Sequence, residues 1–309
     1  MPLALLFPLC AFLAKKTAIV IALTSILHLT AFMDFECSRW MTAQSSESTR
    51  SLTILSYNRG QHNNASLQPF KNQTKPDVIA LQDAKHRGNN YRKATAYSEF
   101  DHIEEVGEFV VLSKYPIITA SPVSTSSATP TSQANSPAAA RFVIDFHGNH
   151  ISLYVAHLPT PRDWVNSVKR GGFIYGMIGL PGTPWGDSRI AYSKFWKNQK
   201  TAVRNLVKAA DNDPLPTIIA GDINVVDTGA IYRTLTSRLS DAHDRAGAGY
   251  GFTFPGKTRN PAALFQPWLR LDYILSGSGW TTTKFVTEKS RPSQHRAIAA
   301  TLALSAPPP

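Results

Sequence analysis

The feature that most constrains the fold is a series of short, almost purely apolar runs separated by polar connections. Such runs, bounded by turn residues, are typical of strands that are buried on both faces of a sheet. They predict strands at residues 52–57, 78–82, 109–113, 141–146, 151–156, 217–220, 271–275 and 297–303. A helix is predicted at 189–210, where apolar side chains recur on one stripe, with shorter helices at 66–75 and 229–238. The chain is therefore predicted to have an α/β fold.

Two long connections interrupt this pattern. Residues 119–137 are a Ser/Thr/Pro/Ala tract without charge, which predicts a mobile surface loop inside one domain. Residues 162–187 are rich in glycine and large apolar side chains, and they predict either a substrate-facing lid, a flap that touches a membrane, or a loop packed on the sheet. The large side chains of this second connection are Trp164, Phe173, Ile174, Tyr175, Met177, Ile178 and Trp185.

The N-terminus has the features of a membrane-directing segment. Residues 17–33 carry no charge; Lys15 and Lys16 precede them and Asp34 follows. Such a length lies at the lower limit for a membrane-spanning helix and at the upper end for the apolar region of a signal peptide. The flanking charges predict that the lysines stay in the cytoplasm and that the rest of the chain lies outside. A cleaved signal, an uncleaved anchor and a buried helix of the folded domain all stay open.

Charge and cysteine content narrow the range of functions. We expect a signal or membrane-anchor segment with a spacer at 1–44 and a single folded domain at 45–309. Residues 1–44 carry three basic and two acidic side chains of a chain whose net charge is +11, so +10 belongs to the domain. This charge favours anionic partners such as nucleic acid, phospholipid headgroups or phosphate esters. With only Cys10 and Cys37, a disulfide-built domain and a cysteine-ligated zinc site are excluded.

Polar side chains that can perform chemistry stand at the ends of the predicted strands, where the scaffold of a layered α/β fold fixes them. Carboxylate and amide oxygens are the ligands that Mg²⁺, Mn²⁺ or Ca²⁺ prefers, and two histidines without a partner cysteine do not indicate zinc. A hard cation beside imidazoles suits the attack of water on a phosphate ester. The residues concerned are Asn58, Asp83, His157, Asp222, Asn224, Asp272 and His295.

Seven short motifs stand at or near the ends of the predicted strands. They are SYN at 56–58, LQD at 81–83, VLSKYPI at 111–117, AHLP at 156–159, GDIN at 221–224, RLDYIL at 270–275 and SQHR at 293–296.

The order of these motifs resembles that in the endonuclease/exonuclease/phosphatase superfamily, over about residues 50–303. That superfamily includes abasic-site endonucleases, DNase I, neutral sphingomyelinases and inositol polyphosphate phosphatases. The resemblance implies a DNase I-like four-layer α/β sandwich, in which two packed mixed β-sheets are flanked by helices. The apolar leader and the GYGFTFPG loop at 249–256 resemble bacterial members of the family that act outside the cytoplasm.

The resemblance also implies how the site is divided between cation and water. Asn58 and Asp83 are expected to hold the metal ion, with Asp83 as the main carboxylate ligand. Asp222 is expected to position and deprotonate the attacking water. Asn224 is expected to orient that water or the scissile phosphate.

The same resemblance assigns the imidazoles. His157 is expected to stabilise the pentacovalent phosphorus, and His295 to contact a phosphate oxygen. Asp272 is expected to fix the tautomer of His295 and to raise its basicity, as a carboxylate behind an imidazole does in many sites.

Two positions depart from the family pattern. Asp83 stands where glutamate is usual, which retracts the carboxylate by about 1.5 Å, one carbon–carbon bond. Gln294 stands where aspartate is usual, which removes a negative charge near His295. We expect these changes to shift or slow the site.

The sequence therefore predicts a metal-dependent hydrolase of phosphate esters, a phosphodiesterase or phosphatase. We expect a monomer that is tethered to the membrane by its N-terminal segment, with the catalytic domain outside the cytoplasm. A lipid-linked ester suits the anchor and the aromatic connection, whereas a nuclease acting on DNA or RNA suits the positive charge. A non-catalytic module that binds phosphate groups is the further alternative.

Overall fold

The computed structural model describes residues 15–27, 50–60, 66–125, 137–161, 184–257 and 267–305. Within them, twelve strands form two six-stranded sheets. The strands are β1 (Ser51–Asn58), β2 (Val78–Gln82), β3 (His102–Val106), β4 (Phe109–Ser113), β5 (Ile117–Val123), β6 (Ala139–Phe146), β7 (Asn149–His157), β8 (Thr217–Asp222), β9 (Ser240–Asp241), β10 (Asp272–Ser276), β11 (Trp280–Thr287) and β12 (Ile298–Leu304). The helices are α1 (Lys15–Leu27), α2 (Gln68–Thr74), α3 (Gly88–Lys93), α4 (Pro184–Asp211), α5 (Tyr232–Leu235) and α6 (Ala242–Ala246).

Each sheet is mixed and contains one parallel pair at its centre. The first sheet has the order β11–β12–β1–β2–β4–β3, and the second has the order β5–β6–β7–β8–β10–β9. β1 runs parallel to β2, and β7 runs parallel to β8, while the remaining neighbours are antiparallel. Because parallel neighbours end at the same edge, the two central pairs each present two strand ends side by side.

Alternate residues of the central strands divide the core into layers. Leu52 and Ile54 of β1 face Leu153 and Val155 of β7 in the apolar layer between the two sheets. The outer face of the second sheet packs against α4, with Leu206 of that helix fully buried. The outer face of the first sheet packs against α2 and α3. The predicted four-layer sandwich of two mixed sheets flanked by helices is confirmed.

The predicted strands all appear in the structure, with ends that differ by one or two residues. The long helix predicted at 189–210 is α4, which begins five residues earlier, and the helix predicted at 66–75 is α2. The helix predicted at 229–238 was too long, because α5 is a single turn.

The predictions for the two long connections are corrected at their ends. The tract at 119–137 begins as strand, because residues up to Val123 belong to β5, an edge strand held by backbone pairing to β6 with mostly exposed side chains. Its residues 126–136 lie outside the described part of the chain. The aromatic connection at 162–187 ends inside α4, and its residues 162–183 also lie outside the described part.

Part of the predicted membrane segment is described as α1, a helix of 13 residues. In the described ranges, no helix has both the length and the apolar character that crossing a bilayer requires.

A partly buried ion pair fixes the segment that follows α4 to the second sheet. Arg141 of β6 donates two hydrogen bonds to the carboxylate of Asp213, from Nε at 2.6 Å and Nη2 at 2.9 Å. The hydroxyl of Tyr154 on β7 donates a third at 2.8 Å. Burial opposes the charge on Asp213, but these hydrogen bonds outweigh it and lower the pKa of the carboxyl to about 2.

Replacing Asp213 with asparagine is expected to lower the free energy of unfolding at pH 7 by about 1–3 kcal/mol, the range for hydrogen bonds to a charged group. A carboxyl whose pKa is depressed in the folded state stabilises the fold above its unfolded pKa and loses that contribution as the pH falls through its folded pKa. The difference between wild type and Asp213→Asn should therefore shrink between pH 4 and pH 2, as measured by urea unfolding.

The exposed Asp211, at the end of the same helix, provides the control because its ion pair with Arg238 is long and solvated, at 3.9 Å. Asp211→Asn should change the unfolding free energy by less than about 0.5 kcal/mol. A loss for Asp213→Asn that is the same at pH 7 and at pH 2 would contradict the assigned role.

Candidate active site

Strand register aligns three of the candidate residues in one row across the second sheet. In the parallel pair, His157 of β7 stands opposite Asp222 of β8. In the antiparallel pair, Asp272 of β10 stands opposite the same Asp222. Residues opposite each other on adjacent strands project from the same face of a sheet. Since residues two positions earlier on β7 and β8, Val155 and Ala220, lie in the inter-sheet core, this polar row lies at the open end of that core.

The first sheet brings Asn58 to the same place. Asn58 ends β1 in register with Gln82, the last residue of β2, and Asp83 follows directly. The Nδ2 of Asn58 donates a hydrogen bond of 2.8 Å to Oδ2 of Asp222, which joins the two sheets at the site. Asp83 is half-buried and has a φ of 52°. Aspartate is among the residues that adopt this left-handed conformation most readily.

His295 enters from the loop before β12 and completes the row. Its Nδ1 lies 2.9 Å from Oδ2 of Asp272, and its Nε2 lies 3.6 Å from Oδ2 of Asp222. The ring of Phe254 covers it at a centroid distance of 5.1 Å. With a carboxylate at Nδ1, the proton on that nitrogen is fixed and Nε2 is directed at Asp222.

His157 is held in the same way by a residue that the sequence did not single out. Its Nδ1 lies 2.9 Å from Oε1 of Glu108, and its Nε2 lies 3.7 Å from Oδ2 of Asp222. Glu108 lies between β3 and β4, in a hairpin turn where a charged side chain is ordinarily a surface residue. In the sequence, Glu108 is recognisable only as an acidic residue directly before the apolar run at 109–113. This position does not indicate that its partner is His157.

Backbone geometry explains the residues of the GDIN motif. A Cβ at Gly221 would lie 1.9 Å from the carbonyl oxygen of Ala156, so only glycine allows β7 and β8 to approach this closely. Asn224 has a φ of 52°, and its backbone N–H donates to Oδ1 of Asp222 at 3.0 Å. Its side-chain Nδ2 donates to the carbonyl oxygen of Leu158 at 2.8 Å. Asn224 therefore holds Asp222 and the segment after His157 in place.

The departure at Gln294 lies on the surface of the site. Its side chain is exposed, and its backbone carbonyl accepts a hydrogen bond from the N–H of Gly256. The backbone contact fixes the segment before His295 to the loop at 249–256, whatever side chain stands at position 294.

Both imidazoles are biased toward the charged form. Burial opposes charge on His157, but the hydrogen bond to Glu108 and the charges of Asp222 and Asp83 raise its pKa to about 9. Burial likewise opposes charge on His295, and the neighbouring Asp272 and Asp222 raise its pKa above the usual value. For Asp222 itself, burial and the adjacent Asp272 raise the pKa of the carboxyl against the opposing imidazoles.

The charge balance of the site fits a divalent cation. Three carboxylates lie near His157, those of Glu108, Asp222 and Asp83. Asp272 beside His295 is the fourth, so the site contains four carboxylates and two imidazoles. With both imidazoles protonated, these four carboxylates and two imidazoles carry a net charge of about −2. Oδ1 of Asp272 is buried and accepts no hydrogen bond within the described residues. Ligand atoms of Asp222, Asp272 and His295 lie within 4.8 Å of one another. Hard oxygen donors with surplus negative charge suit Mg²⁺, Mn²⁺ or Ca²⁺.

Comparison with known proteins identifies the family and shows the fold. A model of the endonuclease/exonuclease/phosphatase family matches residues 59–295. The fold is similar to that of humanized D. rerio TDP2, at 18% identity over 82% of this chain and 98% of that chain, with a TM-score of 0.57. It is also similar to sphingomyelinase C from Streptomyces griseocarneus (18% identity, 81% and 99%, TM-score 0.51) and to a mannosyl-6-phosphatase from Bacteroides thetaiotaomicron (14%, 81% and 99%, TM-score 0.53). Curated protein sequences yield no match.

Two packed sheets with a polar row at their open end define a DNase I-like protein. The chain belongs to the endonuclease/exonuclease/phosphatase family. Members of this family are generally hydrolases that act on phosphate esters, and they generally use a divalent metal.

The pairing of His157 with Glu108 gives a prediction that does not depend on catalysis. In metal-free buffer, the His157 imidazole should titrate with a pKa of about 9 in ¹⁵N NMR spectra. Glu108→Gln should lower this pKa by about 1 or more, because a hydrogen-bonded carboxylate favours the charged imidazole.

Glu104 of β3 is an exposed acid of the same hairpin and serves as the control. Glu104→Gln should leave the pKa of His157 unchanged. If Glu108→Gln does the same, Glu108 does not determine the charge of His157.

Proposed function

We propose that this protein hydrolyses phosphate esters by the attack of water at a divalent-cation site. The observation that carries the proposal is the position of Asp222. Its Oδ2 accepts from Asn58 of the first sheet and lies within 3.7 Å of two imidazole Nε2 atoms, each backed by its own carboxylate. A carboxylate held among hydrogen-bond donors, at the mouth of a packed core, suits a base that acts on a single water.

Asp222 is suited to position and deprotonate that water. Its raised pKa makes it a stronger base than an ordinary aspartate, and the N–H of Asn224 fixes Oδ1 so that the carboxylate does not rotate. A general base of this kind works best when its pKa moves toward the working pH.

The two imidazoles are suited to stabilise charge on the phosphate. His157 and His295 each have Nδ1 bound to a carboxylate, and in the charged form each presents an Nε2–H toward the space around Asp222. Donors fixed in advance at the position where negative charge grows lower the barrier without a further reorganisation. We therefore assign His157 and His295 to the stabilisation of the phosphate. Asn224 holds Asp222, the proposed base, in its orientation.

Asn58 and Asp83 are the residues that would hold the cation. When bound, a divalent cation offsets the charge of the phosphate oxygens and lowers the pKa of a coordinated water. Oδ1 of Asn58 accepts from the N–H of Gly60 at 3.1 Å, which orients the amide and leaves its second lone pair available. The short Asp83, in its left-handed conformation, directly follows Gln82, the register partner of Asn58.

Several observations support a substrate that lies at a membrane, with the catalytic domain outside the cytoplasm. The apolar residues 17–33 follow two lysines, and apolar side chains of α1 such as Leu23 are exposed. The sphingomyelinase and the mannosyl-6-phosphatase show that the fold is found in proteins named for a phospholipid and for a sugar phosphate. We propose a lipid-linked phosphate ester as substrate and a monomeric, membrane-tethered enzyme. The net charge of +10 on residues 45–309 supports a nuclease as the second candidate.

The test is a screen of the full-length protein in detergent with Mg²⁺, Mn²⁺ or Ca²⁺. The substrates are sphingomyelin, prenyl pyrophosphates, inositol phosphates, DNA and RNA. We expect hydrolysis of at least one ester, its loss on addition of EDTA, and a fall of about two orders of magnitude or more for His157→Ala.

His150 lies on the same strand as His157 but is exposed, so His150→Ala is the matched control and should stay close to wild type. Absence of hydrolysis with every ester and cation would favour a non-catalytic phosphate-binding module. Equal rates for the two alanine variants would contradict the assigned site.

A further inference from the structure

Among the described residues, the N-terminal half of α4 extends beyond the ends of β7 and β8, where the candidate active site lies. Gln199 is 2% exposed, and its Nε2 donates to the carbonyl oxygens of Pro159, at 3.2 Å, and Ile223, at 3.3 Å. These acceptors follow His157 and Asp222, so Gln199 is level with the ends of β7 and β8. The helix runs back from there to Pro184, which at 1.5 Å per residue extends it about 20 Å beyond the active-site edge.

The burial of α4 changes at the same level. After Gln199, the inward stripe of the helix is buried against the second sheet, as at Val203 and Leu206. Before Gln199, the side chains of Ile190 and Tyr192 are 68% and 40% exposed. Tyr192 lies on the inward stripe, seven positions before Gln199, whereas Ile190 lies on the opposite face, four positions before Lys194 and seven before Lys197. Ile190 is therefore an exposed apolar residue on the basic face of the helix.

Between residues 188 and 210, every charged residue of α4 is basic, and the exposed Asp211 ends the helix. Like charges three or four positions apart destabilise an isolated helix. Lys194, Lys197 and Lys200 have no acidic residue within four positions along the helix. An anionic surface would offset their mutual repulsion. The basic stripe consists of the exposed Lys194, Lys197, Lys200, Arg204 and Lys208.

We propose that the projecting half of α4, with Ile190, Lys194, Lys197 and Lys200 as its contact residues, docks on the surface of an anionic phospholipid bilayer. These four residues share one exposed face of the helix. An apolar side chain flanked by lysines suits the interface of a bilayer, where the lysines pair with headgroup phosphates. A phosphate backbone of nucleic acid would pair with the lysines but would leave the exposed Ile190 in water. Charge and apolar exposure together favour the bilayer.

This docking rests on the proposed function and extends it, because it places the headgroups of a bilayer opposite the active site. Gln199 joins the projecting helix to the segments after His157 and Asp222. Contact of the helix with a bilayer therefore turns the active-site edge toward the headgroups, which suits an ester carried by a lipid. The docking itself requires no hydrolysis and can be measured without it.

The experiment uses full-length protein reconstituted in vesicles, so that the apolar N-terminal segment is present in every sample. A fluorophore is attached at the exposed position 193 through Ser193→Cys, with Cys10→Ser and Cys37→Ser. Quenching by brominated lipid should be about twofold stronger in phosphatidylglycerol vesicles than in phosphatidylcholine vesicles, because juxtamembrane lysines respond to surface charge. High salt should remove the difference.

Charge reversal provides the matched comparison. The triple variant Lys194→Glu, Lys197→Glu and Lys200→Glu should lose the additional quenching. A control with the same change in charge, made at the exposed Lys93, Lys284 and Lys289, should keep it.

The remaining outcomes also decide the matter. Equal quenching in both kinds of vesicle, or quenching that survives the reversal on α4, would overturn the proposal. Protection of the fluorophore by single- or double-stranded DNA, without quenching by anionic vesicles, would overturn it in favour of a nucleic-acid surface. Hydrolysis of a soluble phosphate diester is assayed on the same preparation. Its absence would count against the proposed function while the docking result stands on its own.

Discussion

The hydrogen bond between Asn58 and Asp222 is the contact on which the site depends, because it joins side chains from two different sheets. Each sheet fixes its own strand register, and a slip of one residue in β1 or β8 would turn Asn58 or Asp222 to the opposite face. The apolar layer between the sheets holds the two strand ends at hydrogen-bonding distance. Core packing and catalysis are therefore linked. The inward rows of β7 and β8 pass from Leu153–Val155 and Ile218–Ala220 in the core to His157 and Asp222 at the site. The inward row of β1 passes from Leu52 and Ile54 to the polar Ser56 and Asn58.

The charged side chains at the polar end of this core stabilise one another. Four carboxylates grouped beside two imidazoles would repel one another, and the burial of Asp222 and Asp272 adds to the cost because burial penalises isolated charge strongly. Each imidazole is therefore paired with a carboxylate, Glu108 for His157 and Asp272 for His295, and both are directed at Asp222. The residual negative charge is what a divalent cation would balance. The same carboxylates that hold the imidazoles in place would thus also favour the binding of a divalent metal, which the family generally uses.

The sequence predicted the central strands because their apolar runs carry the signal themselves. It did not predict β3, β5, β9 or β11, whose side chains are largely polar or exposed and whose stability comes from backbone pairing. Motif order identified the polar strand ends, and the alternation Leu153–Val155–His157 is consistent with the face on which they project. Glu108 was not identifiable, because its role rests on a contact across 49 positions of the chain. The extension of α4 past the site also depends on tertiary contacts that periodicity does not contain.

The central claim is that Asn58 and Asp83 hold one divalent cation beside Asp222, the proposed base. Anomalous diffraction from crystals grown with Mn²⁺ tests it most directly. The account predicts a single strong peak about 2.0–2.4 Å from Oδ1 of Asn58 and a carboxylate oxygen of Asp83, the range for hard cations and oxygen. No peak at that place, or a peak with either side chain turned away from it, would contradict the account.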